Sequence, residues 1–111
     1  MQIATTRQVT IPLQGNAVTF DVPQGMSLRA IRTPAALDGD NLTFEAGDAN
    51  STAPLYDGGS VYSVACGINR HIAIKREIFV GPSYLKLSTN ASTNPQNQSA
   101  ARTFTLYFAA E

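Results

Sequence analysis

The chain has 111 residues, 43% of them hydrophobic and 14% charged, and its eight basic and eight acidic side chains give a formal net charge of zero. That length suits one domain around one core, and balanced charge supplies no broad field to attract nucleic acid or an anionic membrane. Cys66 is the single cysteine and His71 the single histidine, which excludes an internal disulfide and leaves too few ligands for a His/Cys metal cage.

The chain begins Met1-Gln2-Ile3-Ala4-Thr5-Thr6-Arg7, without the basic start and apolar stretch of a secretory signal. No apolar run approaches the roughly 20 residues that span a bilayer. A neutral domain made in the cytoplasm is therefore expected. The first strand-like stretch alternates Val9, Ile11 and Leu13 with Gln8, Thr10 and Pro12. Pro12 donates no ladder hydrogen bond, which places this strand at a sheet edge. Val18, Phe20 and Val22 alternate next, and Gly15-Asn16 between the two stretches predicts a two-residue hairpin turn. Met26, Leu28 and Ala30 are expected to share the following inward face, up to Pro34. Leu42, Phe44 and Ala46 alternate after the turn Asp38-Gly39-Asp40-Asn41.

Gly47 to Pro54 reads as a polar loop, and Leu55-Tyr56-Asp57-Gly58-Gly59 as a short extended piece entering a turn. Tyr62, Val64 and Cys66 alternate, and Ile72 and Ile74 follow. Lys75-Arg76-Glu77-Ile78-Phe79 predicts a single helical turn. Tyr84-Leu85-Lys86-Leu87 is strand-like, and Phe104, Leu106 and Phe108 mark the clearest final strand. About eight short strands separated by Gly, Pro and Asn turns predict an all-β fold, an antiparallel sandwich or barrel in a single domain, 1–111. Thr89 to Ala101 stands out, because a polar stretch of this length has no apolar anchor larger than Ala and long loops are commonly functional.

Chemistry is sparse. No nucleophile–base–acid arrangement surrounds His71, and Cys66 sits on an alternating apolar stretch, where it serves as a small hydrophobe. The carboxylates Asp38, Asp40, Glu45, Asp48 and Asp57 fall in or beside turns, where Asp caps backbone. They are too few and too scattered for a calcium loop. Only Lys75 and Arg76 among the basic residues are adjacent, and the chain contains no Trp, so a nucleic-acid groove is not expected. The sequons Asn41-Leu42-Thr43, Asn50-Ser51-Thr52, Asn90-Ala91-Ser92 and Asn97-Gln98-Ser99 are coincidences of an Asn/Ser/Thr-rich chain.

From residue 31 onward an ordered series of short motifs resembles one family. These are Thr33-Pro34-Ala35-Ala36-Leu37, Asn41-Leu42-Thr43-Phe44-Glu45-Ala46, Leu55-Tyr56-Asp57-Gly58-Gly59 and Arg70-His71-Ile72-Ala73-Ile74. Phe79-Val80-Gly81, Tyr84-Leu85-Lys86-Leu87, Asn94-Pro95-Gln96-Asn97-Gln98 and Arg102-Thr103-Phe104-Thr105-Leu106 continue it. In this order they resemble the capsid decoration, or staple, proteins of tailed phages, especially those of epsilon15-like short-tailed phages. The chain departs from the family at Lys75-Arg76-Glu77, where an Asp-Pro pair is common, and around Ala36-Leu37, where an aromatic is common. The resemblance implies a jelly-roll-like sandwich on the capsid exterior that bridges neighbouring major coat subunits as a pair at local two-fold axes. It implies no catalysis, no cofactor, no nucleic acid and no membrane.

Under that reading two appendages are the expected contacts. One is the N-terminal segment 1–8, with Gln2, Ile3, Thr5 and Arg7, adding a strand to a neighbour's sheet edge. The other is the 89–101 loop, with Asn90, Thr93, Asn94, Gln96, Asn97 and Gln98. Deleting 91–98 is accordingly expected to spare folding. The alternative is a carbohydrate-binding or host-attachment module. Without Trp, its sugar-stacking candidates are Tyr56 and Tyr107.

Overall fold

The computed structural model describes residues 4–92 and 94–111. In chain order the strands are β1 (Ala4–Ile11), β2 (Ala17–Asp21), β3 (Met26–Arg32), β4 (Asn41–Gly47), β5 (Thr52–Pro54), β6 (Tyr56–Asp57) and β7 (Ser60–Val61). They continue with β8 (Ser63–Ala65), β9 (His71–Ala73), β10 (Tyr84–Ala91), β11 (Asn94–Pro95) and β12 (Arg102–Ala110). A single helical turn, α1 (Arg76–Phe79), falls where the sequence predicts it.

Eight principal strands carry the topology. β1 pairs with β12, β2 with β10, β3 with β9 and β4 with β8, always antiparallel, so first meets last and the pairing nests inward. The pairs β12–β3 and β10–β4 then join these arms into two sheets, β1-β12-β3-β9 and β2-β10-β4-β8. A long hairpin rolled over in this way is a jelly roll. Alternation alone predicts a sandwich or a barrel, and the family resemblance adds the jelly-roll sandwich; the structure is a sandwich with the jelly-roll order. β5 and β11 extend the second sheet, and β6–β7 form a separate ribbon.

The core lies between the sheets. Phe104, Leu106, Phe108, Leu28 and Ile31 from the first sheet face Phe20, Leu42, Phe44, Leu85 and Leu87 from the second, and all are buried. Phe20 and Phe108 meet edge-on with centroids 6.3 Å apart. The α1 turn delivers Phe79 onto Phe44 at 4.9 Å and near-perpendicular planes, the quadrupole-favoured arrangement.

Two local expectations fail. Gly15-Asn16 is not a hairpin turn, because β1 and β2 belong to different sheets and their connection arches across the end of the sandwich. The left-handed residue there is Gln14, at φ 68°. The backbone of the arch is satisfied from elsewhere: Gly15 and Asn16 carbonyls accept from the Gln98 and Thr89 amides, each within 2.9 Å. The expected Met26/Leu28/Ala30 face also breaks after Leu28. Leu28 opposes Phe108 while Ala30 opposes Tyr107, so Arg29 is the extra residue of a β-bulge. The bulge moves Ile31 into the core and turns Ala30 to the outer face, against Tyr107 and Ala73. Arg29 is held there by bonds from Nε to Ser27 Oγ (3.0 Å) and from its guanidinium to the Ala110 carbonyl.

Leu106 is fully buried at the centre of its sheet. Leu106→Ala is expected to lower unfolding free energy by about 2–5 kcal/mol, read as a fall in urea midpoint at constant m-value. Leu106→Asp is expected to show no cooperative transition, because its lone charge has no water or partner.

Candidate interaction surfaces

The 89–101 stretch is not a free loop. β10 runs on through Ala91 and β11 doubles back on it, placing Asn90 opposite Pro95 and Ala91 opposite Asn94. The chain then brings Gln98 into the end of the sandwich at 1% exposure. Its Nε2 donates to the Asp38 carbonyl (2.8 Å) and to Thr89 Oγ1 (3.0 Å). Its Oε1 accepts from the Asp38 amide (2.9 Å) and from Arg102 Nε (3.3 Å). The Gln98 backbone also donates to the Gly15 carbonyl and accepts from the Gln14 amide, both at 2.8 Å.

The Asp38–Asn41 turn is clamped in return. The Ser99 amide donates to Asp38 Oδ2 (2.6 Å) and the Ser92 amide to Asp40 Oδ1 (2.9 Å). These carboxylates bond the turn that follows β10 and the bend before β12. Gly39 has φ +102° and lies so close to Asn90 that an added Cβ would sit 2.7 Å from its carbonyl oxygen, so only glycine fits. The Ser99 amide first, then the Ser99 hydroxyl and the Arg102 guanidinium, hold the Asp38 carboxyl below the ordinary aspartate value despite partial burial.

The expected contact residues divide accordingly. Gln2, Ile3 and Thr93 lie outside the described residues. Residues 4–8 of the expected N-terminal contact segment belong to β1, which is bonded along its length to β12, from Ala4 opposite Ala109 to Ile11 opposite Arg102. Thr5 is half-buried there and Arg7 exposed. Gln98, at 1% exposure, is turned into the fold, which removes it as a surface contact. Asn90, at 7%, is on the outer face of the second sheet, largely covered and bonded to Thr43. Gln96 is half-buried, with its amide bonded to the Thr89 carbonyl. Asn94 and Asn97 remain exposed. Deleting 91–98 would remove β11 and the Gln98 carboxamide together, so the expectation that this deletion spares the fold is withdrawn.

β1 is the outer strand of the first sheet, as Pro12 led us to expect. Arg7 lies on its core-facing side, opposite Leu106, yet reaches solvent at the rim. A charge in that position discourages a second strand from closing over the edge. The opposite, outer face of the sheet carries Thr6, Gln8, Thr10, Thr103, Thr105 and Tyr107. Thr10 and Thr103 hydroxyls are 2.9 Å apart, and the His71 ring lies 4.8 Å from that of Tyr107. This face is rich in hydroxyl donors and acceptors, with Arg32 of β3 the charge beside Thr105. It was detectable in the sequence as the polar phase of the same alternation that marks the core, but attention to loops passes over it.

Cys66 is half-buried, and burial first, then the Asp40 charge, push its thiol up, away from the thiolate form. Among the described residues no group of three or more His, Cys, Asp or Glu is placed to hold a metal ion.

No family model matches the chain, and no curated protein does. Among solved structures, the SPBc2 prophage-derived protein YomS is similar over 99% of this chain and 97% of its own, at 14% identity and a TM-score of 0.54. The likeness establishes a shared fold. The Drosophila NLP core, whose structure bears on pentamer formation and histone binding, aligns over 96% of each chain at 14% identity and a TM-score of 0.42, too loosely to carry an argument.

Gln98→Ala is expected to cost about 2–4 kcal/mol in urea unfolding, since it leaves the part-buried Asp38 amide and carbonyl without partners while the Thr89 hydroxyl keeps the Gln96 carbonyl. The depressed Asp38 value means that its contribution is complete above the ordinary aspartate range and is lost as pH falls through its lower folded-state value. The acid-side decline in thermal midpoint should therefore be shallower in Asp38→Asn than in the parent.

Proposed function

We propose that this protein is a structural component of a tailed-phage head, a decoration protein that binds the capsid exterior and staples neighbouring major coat subunits. The observation that carries the reading is the nested strand order, first with last through fourth with fifth, because it is the jelly roll that the ordered motif series implies. The whole-length likeness to a prophage-derived protein points the same way.

The physical requirements of a staple are a stiff body and more than one face able to grip. Here the clamped end with Asn94 and Asn97 and the Thr/Gln face of the first sheet offer two such faces. Either contact alone can be weak, since binding one coat subunit raises the effective concentration of the next. Ordered backbone loses little entropy on docking, so a polar interface of modest area holds. A pair of these molecules at a local two-fold axis doubles the grip on the lattice. The role calls for no catalytic step and no cofactor, and the protein is made in the bacterial cytoplasm before it reaches the head.

Phage heads assembled with and without the protein should release DNA at different temperatures, the decorated heads at the higher one; equal release temperatures would reject the stapling role. Thr6→Glu, placed on the exposed outer face, should leave the unfolding midpoint within about 0.5 kcal/mol of the parent while lowering occupancy on purified heads.

A further inference from the structure

On the outer face of the second sheet the β6–β7 ribbon overhangs a cavity of about 290 Å³ lined by Thr43, Val61, Ser63, Asn90 and Ser92. We propose that this cleft binds one unit of a neutral saccharide, an activity separate from capsid stapling and independent of it. Among the described residues the lining side chains are three hydroxyls, one carboxamide and one aliphatic wall, with no charge. Hydroxyls and amides that both donate and accept match the alternating hydroxyls of a sugar ring. Anionic or cationic ligands would find no counter-ion in the lining.

The apolar side of the site is equally specific. Val61 is directly opposite Tyr56 in the ribbon, so their side chains share one side, and both are exposed, at 42% and 56%. Val61 lines the cleft and Tyr56 is its ladder partner one strand further out, so a sugar seated against Val61 can reach the Tyr56 ring with its C–H side, an amphipathic match that a wholly polar groove lacks. The volume falls at the small end of ligand sites, which suits a single sugar unit and not a folded partner.

The cleft is also held in shape without a ligand. The Leu55 amide bonds the Phe44 carbonyl (3.0 Å) and the Tyr62 amide bonds the Leu55 carbonyl (2.9 Å), closing the base of the ribbon on the sheet. Lys75 ties the ribbon to the α1 side through its ion pair with Asp57 (3.0 Å), and its amide bonds the Tyr62 hydroxyl at 3.0 Å. On the floor, the Asn90 amide nitrogen donates to Thr43 Oγ1 at 2.8 Å. A site so fixed pays little ordering entropy on binding.

The test is a glycan array probed with the full chain, followed by ¹⁵N NMR titration with the methyl glycosides of glucose, galactose, mannose, rhamnose and N-acetylglucosamine, and with sialic acid as a charged control. The expected result is saturable shifts at the Thr43, Ser63, Asn90 and Ser92 amides with at least one neutral sugar and none with sialic acid. Tyr56→Ala should weaken that binding about tenfold without altering the rest of the spectrum or occupancy on phage heads. Absence of shifts with every neutral sugar, shifts confined to another face, or full affinity in Tyr56→Ala would each overturn the proposal. Lost head occupancy in Tyr56→Ala would overturn its independence from stapling.

Discussion

One buried carboxamide organises the end of the sandwich that carries the polar loop. Gln98 is enclosed, and a buried amide left unpaired costs about 1–3 kcal/mol per group. Its donors and acceptor are met by Asp38, Thr89 and Arg102, and its backbone by Gln14 and Gly15. Those partners come from four separate stretches of chain, so the β1–β2 arch, the 38–41 turn, the end of β10 and the start of β12 must settle together. The surrounding exposed groups, Asn94, Asn97 and Ser99, inherit their positions from that closure.

The same constraint explains how a chain with so little charge can present a defined surface. Polar side chains that would ordinarily wander are tied at their backbones, as Ser92 and Ser99 are to Asp40 and Asp38. The first sheet achieves the equivalent by strand pairing, which lays Thr and Gln side chains out at the fixed spacing of the ladder. Recognition by such surfaces depends on shape and hydrogen-bond register more than on field, and it should be little affected by salt.

The sequence made the core legible where inward residues kept period two. Phe104, Leu106, Phe108, Leu42, Phe44, Leu85 and Leu87 are all buried as alternation requires. It misled where non-local partners decide the backbone. Gly15-Asn16 looks like a hairpin because turn preference is local, yet Thr89 and Gln98, far along the chain, own its hydrogen bonds. The Arg29 bulge shifts the phase of β3 through pairing with β12, which no window over β3 alone contains. Gln98 resembled a loop amide because composition does not distinguish an exposed carboxamide from a buried one with every group satisfied. The cleft beside the β6–β7 ribbon was half legible: Tyr56 stood out as a sugar-stacking candidate, but Thr43, Ser63 and Ser92 converge only once the jelly roll brings their strands together.

The pairing of first strand with last also sets a clock on synthesis. β12 lies between β1 and β3, so the first sheet has no middle until Arg102–Ala110 has left the ribosome. Until then β1 and β3 are two half-apolar strands without a neighbour between them, and ladders of such long sequence separation close slowly. A nascent chain of this kind is open to chaperones and to pairing with other copies until that strand emerges. The polar, nearly uncharged segment just before β12 is the last to emerge before closure, and its Gln98 clasp comes within reach only as the final strand arrives.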